Sequence, residues 1–220
     1  MLISVSNICN LSRIPISIEK NPLYLTSLQI LENKNINFKN TYLFEFYKNF
    51  KPQTLRDLYN IRNNKFDIFD LSYKTGFLPW LHESSHKCFS DVAFIKFNVE
   101  EKVSKLKKLV SSFLTHGYKP ESFPTRQGEV CGHFLEHKNK KKFYIIAGNH
   151  RAAVYAAVFK NKKLPVIFED KSFMKEKELK FRACTRKIYS SKDIEEWPSV
   201  KSKQVSKDCA LQFIEKYFNI

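Results

Sequence analysis

Gly148, Asn149, His150 and Arg151 stand in a row where an apolar run, Tyr144-Ile145-Ile146-Ala147, gives way to an alanine-rich stretch. Each residue type suits an anionic ligand. Glycine turns sharply and lets a ligand approach the backbone. Arg151 offers a planar, permanently charged fork that matches phosphate oxygens. His150 can donate to a phosphate, orient a neighbour or assist proton transfer, because imidazole titrates near neutral pH. Asn149 donates and accepts without charge and can position a ligand or a metal. With the N–H groups of Ala152 and Ala153 they would form a cradle for a triphosphate. The plainer reading is a tight turn in which Arg151 makes an ordinary ion pair.

The elements that must position these residues follow from the pattern. Residues 144–147 predict a buried strand, the alanine-rich stretch a helix, and Leu164-Pro165-Val166-Ile167-Phe168 a second strand. The four polar positions would then sit at a helix N-terminus. Unpaired backbone N–H groups and the positive end of the helix dipole meet there and favour an anion.

Two other groupings hold reactive side chains. His82, His86 and Cys88, with Cys131, His133 and His137, gather four of the six histidines. These are ligand types that zinc accepts, but their spacing matches no zinc finger, so hydrogen-bonding or substrate-facing roles are favoured over a metal. Arg182, Arg186 and Lys187 flank Cys184 in a basic segment. It reads equally as an exposed turn or as an arm near an anionic ligand. Cys184 has basic neighbours that could lower its pKa but no visible base, so it carries no predicted role.

The ordered set of elements over residues 91–170 resembles the ParB/sulfiredoxin superfamily. The resemblance rests on Gly148, His150 and Arg151, with Val154 where the family has a small residue, and on Leu164-Pro165-Val166. Upstream, residues 91–97 look like the opening strand and residues 100–116 like the helix that follows. Gly117-Tyr118-Lys119-Pro120 looks like the turn into the next strand. The likeness implies a nucleotide site, with ATP or CTP and Mg²⁺, at Gly148, Asn149, His150, Arg151 and Ala152. In such domains a later basic element closes over the nucleotide, a role open to Arg182 or Arg186. Asn149 occupies the place of the reactive cysteine of sulfiredoxins, so thiol repair is not expected. ParB proteins carry Glu-Arg-Arg after the glycine and a helix-turn-helix downstream; this chain has Asn-His-Arg and no clear counterpart to the latter. Free-serine kinases of the superfamily use a carboxylate base. Glu129 is the candidate taken here, beside His150, with Glu121, Glu169 and Asp170 as other choices.

Bulk properties bound these readings. The chain has 220 residues, enough for one good core with an extension. Its 38 basic and 22 acidic residues give a formal charge of +16, which attracts polyanions. Lysine and asparagine are spread throughout, including the loop predicted over 137–142, so the charge also fits a general compositional bias. Five scattered cysteines (Cys9, Cys88, Cys131, Cys184, Cys209) without a C-x-x-C pair read as reduced thiols. No bilayer-length apolar run or basic-then-apolar leader stands out, so a cytoplasmic protein without membrane contact is expected.

Periodicity predicts a helix over 100–115 with Val103, Leu106, Val110, Phe113 and Leu114 inward, its lysines solvated and Gly117 at its C-cap. A last helix is predicted over 206–218, capped by Ser206, with Ala210, Phe213, Ile214, Tyr217 and Phe218 as its apolar face. An edge strand at 14–18, an aromatic-rich short helix within 41–50, helices near 54–59 and 174–181, and a turn at 193–198 complete the expectation. The fold class is α+β: an N-terminal extension (1–90), a ParB/sulfiredoxin-like domain (91–185) and a C-terminal helical segment (186–220). The expected function is nucleotide binding, with hydrolysis or phosphoryl transfer to a small molecule. The alternative is a non-catalytic basic protein that binds DNA or RNA. A third reading is an interaction module without a ligand.

Overall fold

The computed structural model describes residues 1–9, 21–49, 98–122, 128–160, 162–168, 186–201, 203 and 206–219. Its centre is a hairpin. Strand β3 (Cys131–His137) and strand β4 (Lys140–Ala147) pair antiparallel, from Cys131 opposite Ala147 to His137 opposite Lys140. The turn consists of Lys138 and Asn139, both left-handed, with φ of 48° and 64°. A two-residue turn with both φ positive matches the twist of a hairpin, and asparagine tolerates it. The lysine-rich stretch expected as a loop is therefore a tight turn and the first residues of β4. The strand ahead of it, buried along its first three residues and alternating after them, was not expected.

Short strands extend the hairpin. Strand β2 (Ile8–Cys9) lies parallel to β4, so the first residues of the chain enter the central sheet. One strand was expected over 164–168, but two form. Strand β5 (Leu164–Pro165) pairs antiparallel with strand β1 (Leu2–Ile3) in a separate small sheet. Strand β6 (Ile167–Phe168) runs parallel to β3. Pro165 has no N–H to give a central ladder, which suits a strand that changes partner within five residues. Val166 donates its N–H to the Met1 carbonyl at 2.8 Å, and Ile167 to that of Val130 at 3.0 Å. Strand β7 (Ile188–Ser190) pairs parallel with the later part of β3.

Alternation along β4 sends side chains to two cores. Phe143 and Ile145 join a cluster with helix α1 (Pro22–Glu32), helix α3 (Val99–His116) and helix α4 (Asn149–Phe159). Helix α2 (Tyr42–Asn49) contributes Leu43 to the same core. Tyr144 joins Leu135 and Tyr189 in a second cluster. That cluster includes Ile194, Trp197, and Ala210, Ile214 and Tyr217 of a C-terminal helix (Lys207–Phe218). Between β7 and that helix lie a 3-10 helix (Ser191–Glu196) and helix α5 (Pro198–Lys201), and the C-terminal helix is α6. Each fully buried Leu, Ile, Val or Phe contributes about 1.5–3 kcal/mol, so both faces of the sheet are tied down independently.

The class is mixed α+β, as expected. Helix α3 ends at Gly117 with φ 72°, and Asn98 caps its start by accepting from the Glu101 N–H at 3.0 Å. Leu114, expected inward, is exposed at 62 %. The turn expected at 193–198 is the 3-10 helix and its hand-over to α5. The elements expected at 14–18, 54–59, 91–97 and 174–181 fall outside the described residues, as do Arg182, Glu169 and Asp170. No described helix is long and apolar enough to cross a membrane.

Candidate functional site

Helix α4 is buried along most of its length: Ala152, Ala153, Val154, Tyr155, Ala156 and Ala157 are all shielded. A helix enclosed in this way fixes the position of its first turn. Gly148 is its N-cap residue, left-handed at φ 92° and ψ 17°. A Cβ there would stand 2.9 Å from both the Glu129 carbonyl oxygen and the Val130 Cα. Only glycine fits the conformation and the space together. Asn149, His150 and Arg151 are thus the first three residues of the helix.

The N–H of Ala152 donates to the Gly148 carbonyl at 2.9 Å. It is engaged within the helix and does not belong to the anion cradle expected from the sequence. The N–H groups that have no partner among the described residues are those of Asn149, His150 and Arg151. No side chain caps this end. The first turn therefore presents three donors and the positive end of the dipole.

Glu129 comes to the same place. Its carbonyl accepts from Arg151 Nη2 at 3.2 Å. Among the described residues, Arg151 thus bonds to a neutral main-chain oxygen and to no carboxylate. Four further polar atoms are buried without a hydrogen-bond partner among the described residues: Glu129 Oε2, Asn149 Oδ1, His150 Nε2 and Arg151 Nε. A buried polar atom left unsatisfied costs about 1–3 kcal/mol. Four at one turn is a concentration that invites a ligand. Two are acceptors, one is a donor, and the imidazole nitrogen can act as either.

Electrostatics sharpen the picture. Burial, aided by the charges of Lys102, Lys105 and Arg151, pushes the His150 pKa down to about 4. The ring is neutral at pH 7, so it enters as a hydrogen-bonding group and not, as its ordinary pKa would suggest, as a half-charged one. Burial also lowers the Arg151 pKa, with Tyr118 and Cys131 opposing, yet a guanidinium remains cationic at neutral pH. Tyr118 donates to the Gly128 carbonyl at 3.1 Å, and burial raises its pKa to about 12, so it stays a neutral phenol.

Lys102 and Lys105 are the residues that sequence reasoning missed, since the lysines of α3 read as a solvated face. Their charges reach His150 because α3 packs beside α4. The available signal was their spacing of three on the flank of the apolar stripe, which keeps both on one side of the helix. Lys105 also pairs with Glu101 at 2.5 Å.

The remaining candidates disperse. Arg186 leads into β7, on the far side of β3 from the strand that ends at Gly148. Glu121 is exposed on a short 3-10 turn (Pro120–Ser122). His133 is buried, stacked on Tyr144 with ring centroids 5.1 Å apart. His137 lies at the far end of the hairpin, where Nδ1 is 3.0 Å from Ser191 Oγ. These two histidines and Cys131 belong to β3, and no metal-holding cluster of His, Cys, Asp or Glu exists among the described residues. Comparison with known proteins finds no match to any family profile, curated protein or solved structure.

Proposed function

We propose that the chain binds a nucleotide through its phosphates at the turn of Gly148, Asn149, His150 and Arg151, as a ParB/sulfiredoxin-type domain would. One observation carries the reading: four buried polar atoms without described partners belong to Glu129 and to the first three residues of α4, whose N–H groups are also open among the described residues. The N–H groups and the Arg151 guanidinium receive phosphate oxygens. His150 donates or accepts a hydrogen bond as a neutral ring. Lys102 and Lys105 add positive potential from α3.

The site also holds acceptors, which an anion alone does not satisfy. Asn149 Oδ1 is a hard oxygen that fits Mg²⁺, which leaves the Glu129 carboxylate available to take a proton. When bound, Mg²⁺ would neutralise charge on the phosphates. In the phosphotransfer form of this proposal, a hydroxyl or water oxygen bonds to the terminal phosphorus and the bond to the bridging oxygen breaks. The Glu129 carboxylate takes the proton of the attacking group, and Arg151 holds the phosphoryl oxygens. His150, with its pKa near 4, is a weak base at pH 7 and serves to orient.

The test is a thermal-shift panel of ATP, ADP, CTP and GTP, each with and without Mg²⁺, on wild type and Arg151→Ala. At least one nucleotide should raise the melting temperature of the wild type, as any ligand of the native state does. That rise should be lost in Arg151→Ala. A chain that responds to none of them contradicts the proposal.

A further inference from the structure

Away from this turn, the C-terminal half of α3 and the chain just after α1 form a separate open groove of about 520 Å³. Its cations are Lys34, Lys107 and Lys108, and no carboxylate lines it among the described residues. Lys107 is held in place, because its ammonium donates to the Ile36 carbonyl at 2.6 Å, a neutral partner that leaves the charge uncompensated. Lys34 and Lys108 are exposed and make no ion pair among the described residues. The carboxylates of α3, Glu100 and Glu101, lie in its first turn, away from the groove.

Spacing along α3 gives the groove direction. Lys108, Ser111, Ser112 and Thr115 follow at intervals that keep them on one helix face. The Thr115 hydroxyl donates to the Ser111 carbonyl at 3.0 Å, and Ser111 and Ser112 line the groove beside it. From Lys108 to Thr115 the helix rises about 10 Å, a span that lets donors along it reach more than one phosphate of a backbone. Lysine and hydroxyl side chains are the usual donors to backbone phosphates. No Phe, Tyr or Trp lines the groove among the described residues, so none of these rings offers bases a stacking platform. The C-terminal end of a helix carries negative partial charge, and an anion there depends wholly on the side-chain cations.

We infer that this groove holds the phosphodiester backbone of a nucleic acid, without reading its sequence. The inference is independent of the nucleotide site and concerns a second surface.

Fluorescence anisotropy tests it, with a labelled 12-nucleotide uridine RNA, a thymidine DNA strand, a DNA duplex and a poly-glutamate peptide. Nucleic acid should bind at 50 mM salt with a log–log salt slope of roughly −1.5 to −2 for the single strands, from two to three neutralised phosphates. The exposed pair Lys34→Glu/Lys108→Glu should lose at least tenfold in affinity and flatten the slope by about one unit. Lys140→Glu/Lys192→Glu, the same charge change at the hairpin end, should stay within about twofold of wild type. The three arms of RNA, DNA strand and duplex identify which backbone is held best. Equal losses in both double variants, poly-glutamate binding as tight as nucleic acid, or no binding at 50 mM salt would each overturn the inference.

Discussion

A methyl group on Gly148 would stand 2.9 Å from two backbone atoms and force a side chain into φ 92°. Gly148→Ala should therefore cost about 1–3 kcal/mol from the backbone conformation alone, read as a lower urea midpoint with unchanged slope, together with loss of phosphate binding. Titration gives a second prediction at this scale. The pKa of His133 is pushed down to about 3 by burial, and that of His150 to about 4 by burial and neighbouring cations. Both lie below the ordinary 6.5, so the unfolded chain binds protons first and stability falls as pH drops from about 6.5 toward 4 and then 3. At pH 5 the loss should be about 2 kcal/mol for His133, and less for the partly exposed His150. Urea melts at pH 7.5 and 5.0 should differ less in His133→Phe and His150→Gln than in wild type; identical pH dependence in all three would contradict this. The sequence revealed the turn at Gly148 and the polar first turn of the helix after it, since glycine, arginine and a strand-to-helix change are local signals. It did not reveal that His150 is neutral, because that depends on burial and on Lys102 and Lys105 from another helix.

The elements separate into those whose pattern survives in the sequence and those whose pattern is broken by polar residues facing inward. Helices α3 and α6 keep a clean apolar stripe and were placed to within a residue or two. Helix α1 was not read, although Asn21 caps it and Pro22 opens it. Its buried face includes Thr26 and Ser27: Thr26 Oγ1 accepts from the Leu43 N–H at 2.9 Å, and the Ser27 hydroxyl donates to the Leu23 carbonyl at 2.7 Å. Strand β3 was hidden because His133 and His137 break its apolar pattern and read as hydrogen-bonding or substrate-facing groups, whereas they pack between aromatic rings and the C-terminal elements. Because the two cores lie on opposite faces of the sheet, damage to one should spare the other. Ile214 is fully buried under α6, and Ile214→Ala should cost about 2–5 kcal/mol. Hydrogen exchange should show loss of protection in α6 and the 3-10 helix (Ser191–Glu196) before α4. Uniform loss across both faces would argue for a single cooperative core.

At the scale of the whole molecule, the formal charge is +16. Arg151, Lys102 and Lys105 converge on one turn, and Lys34, Lys107 and Lys108 border a groove elsewhere on α3. Composition announced the attraction for polyanions but not its division, since that requires knowing which faces of one helix meet which neighbours. The same holds for the start of the chain. Its first nine residues supply strands to both sheets, which no local pattern foretold because two-residue strands are defined by their partners. The central claim is that the first turn of α4 accepts phosphate oxygens through its N–H groups and Arg151. Isothermal titration of inorganic tripolyphosphate at pH 7, free of any contribution from a base, tests it most directly. One saturable site is predicted, with affinity lowered about tenfold or more in Arg151→Ala, as loss of charge-assisted hydrogen bonds requires; no saturable heat, or equal affinity in the two proteins, would contradict it.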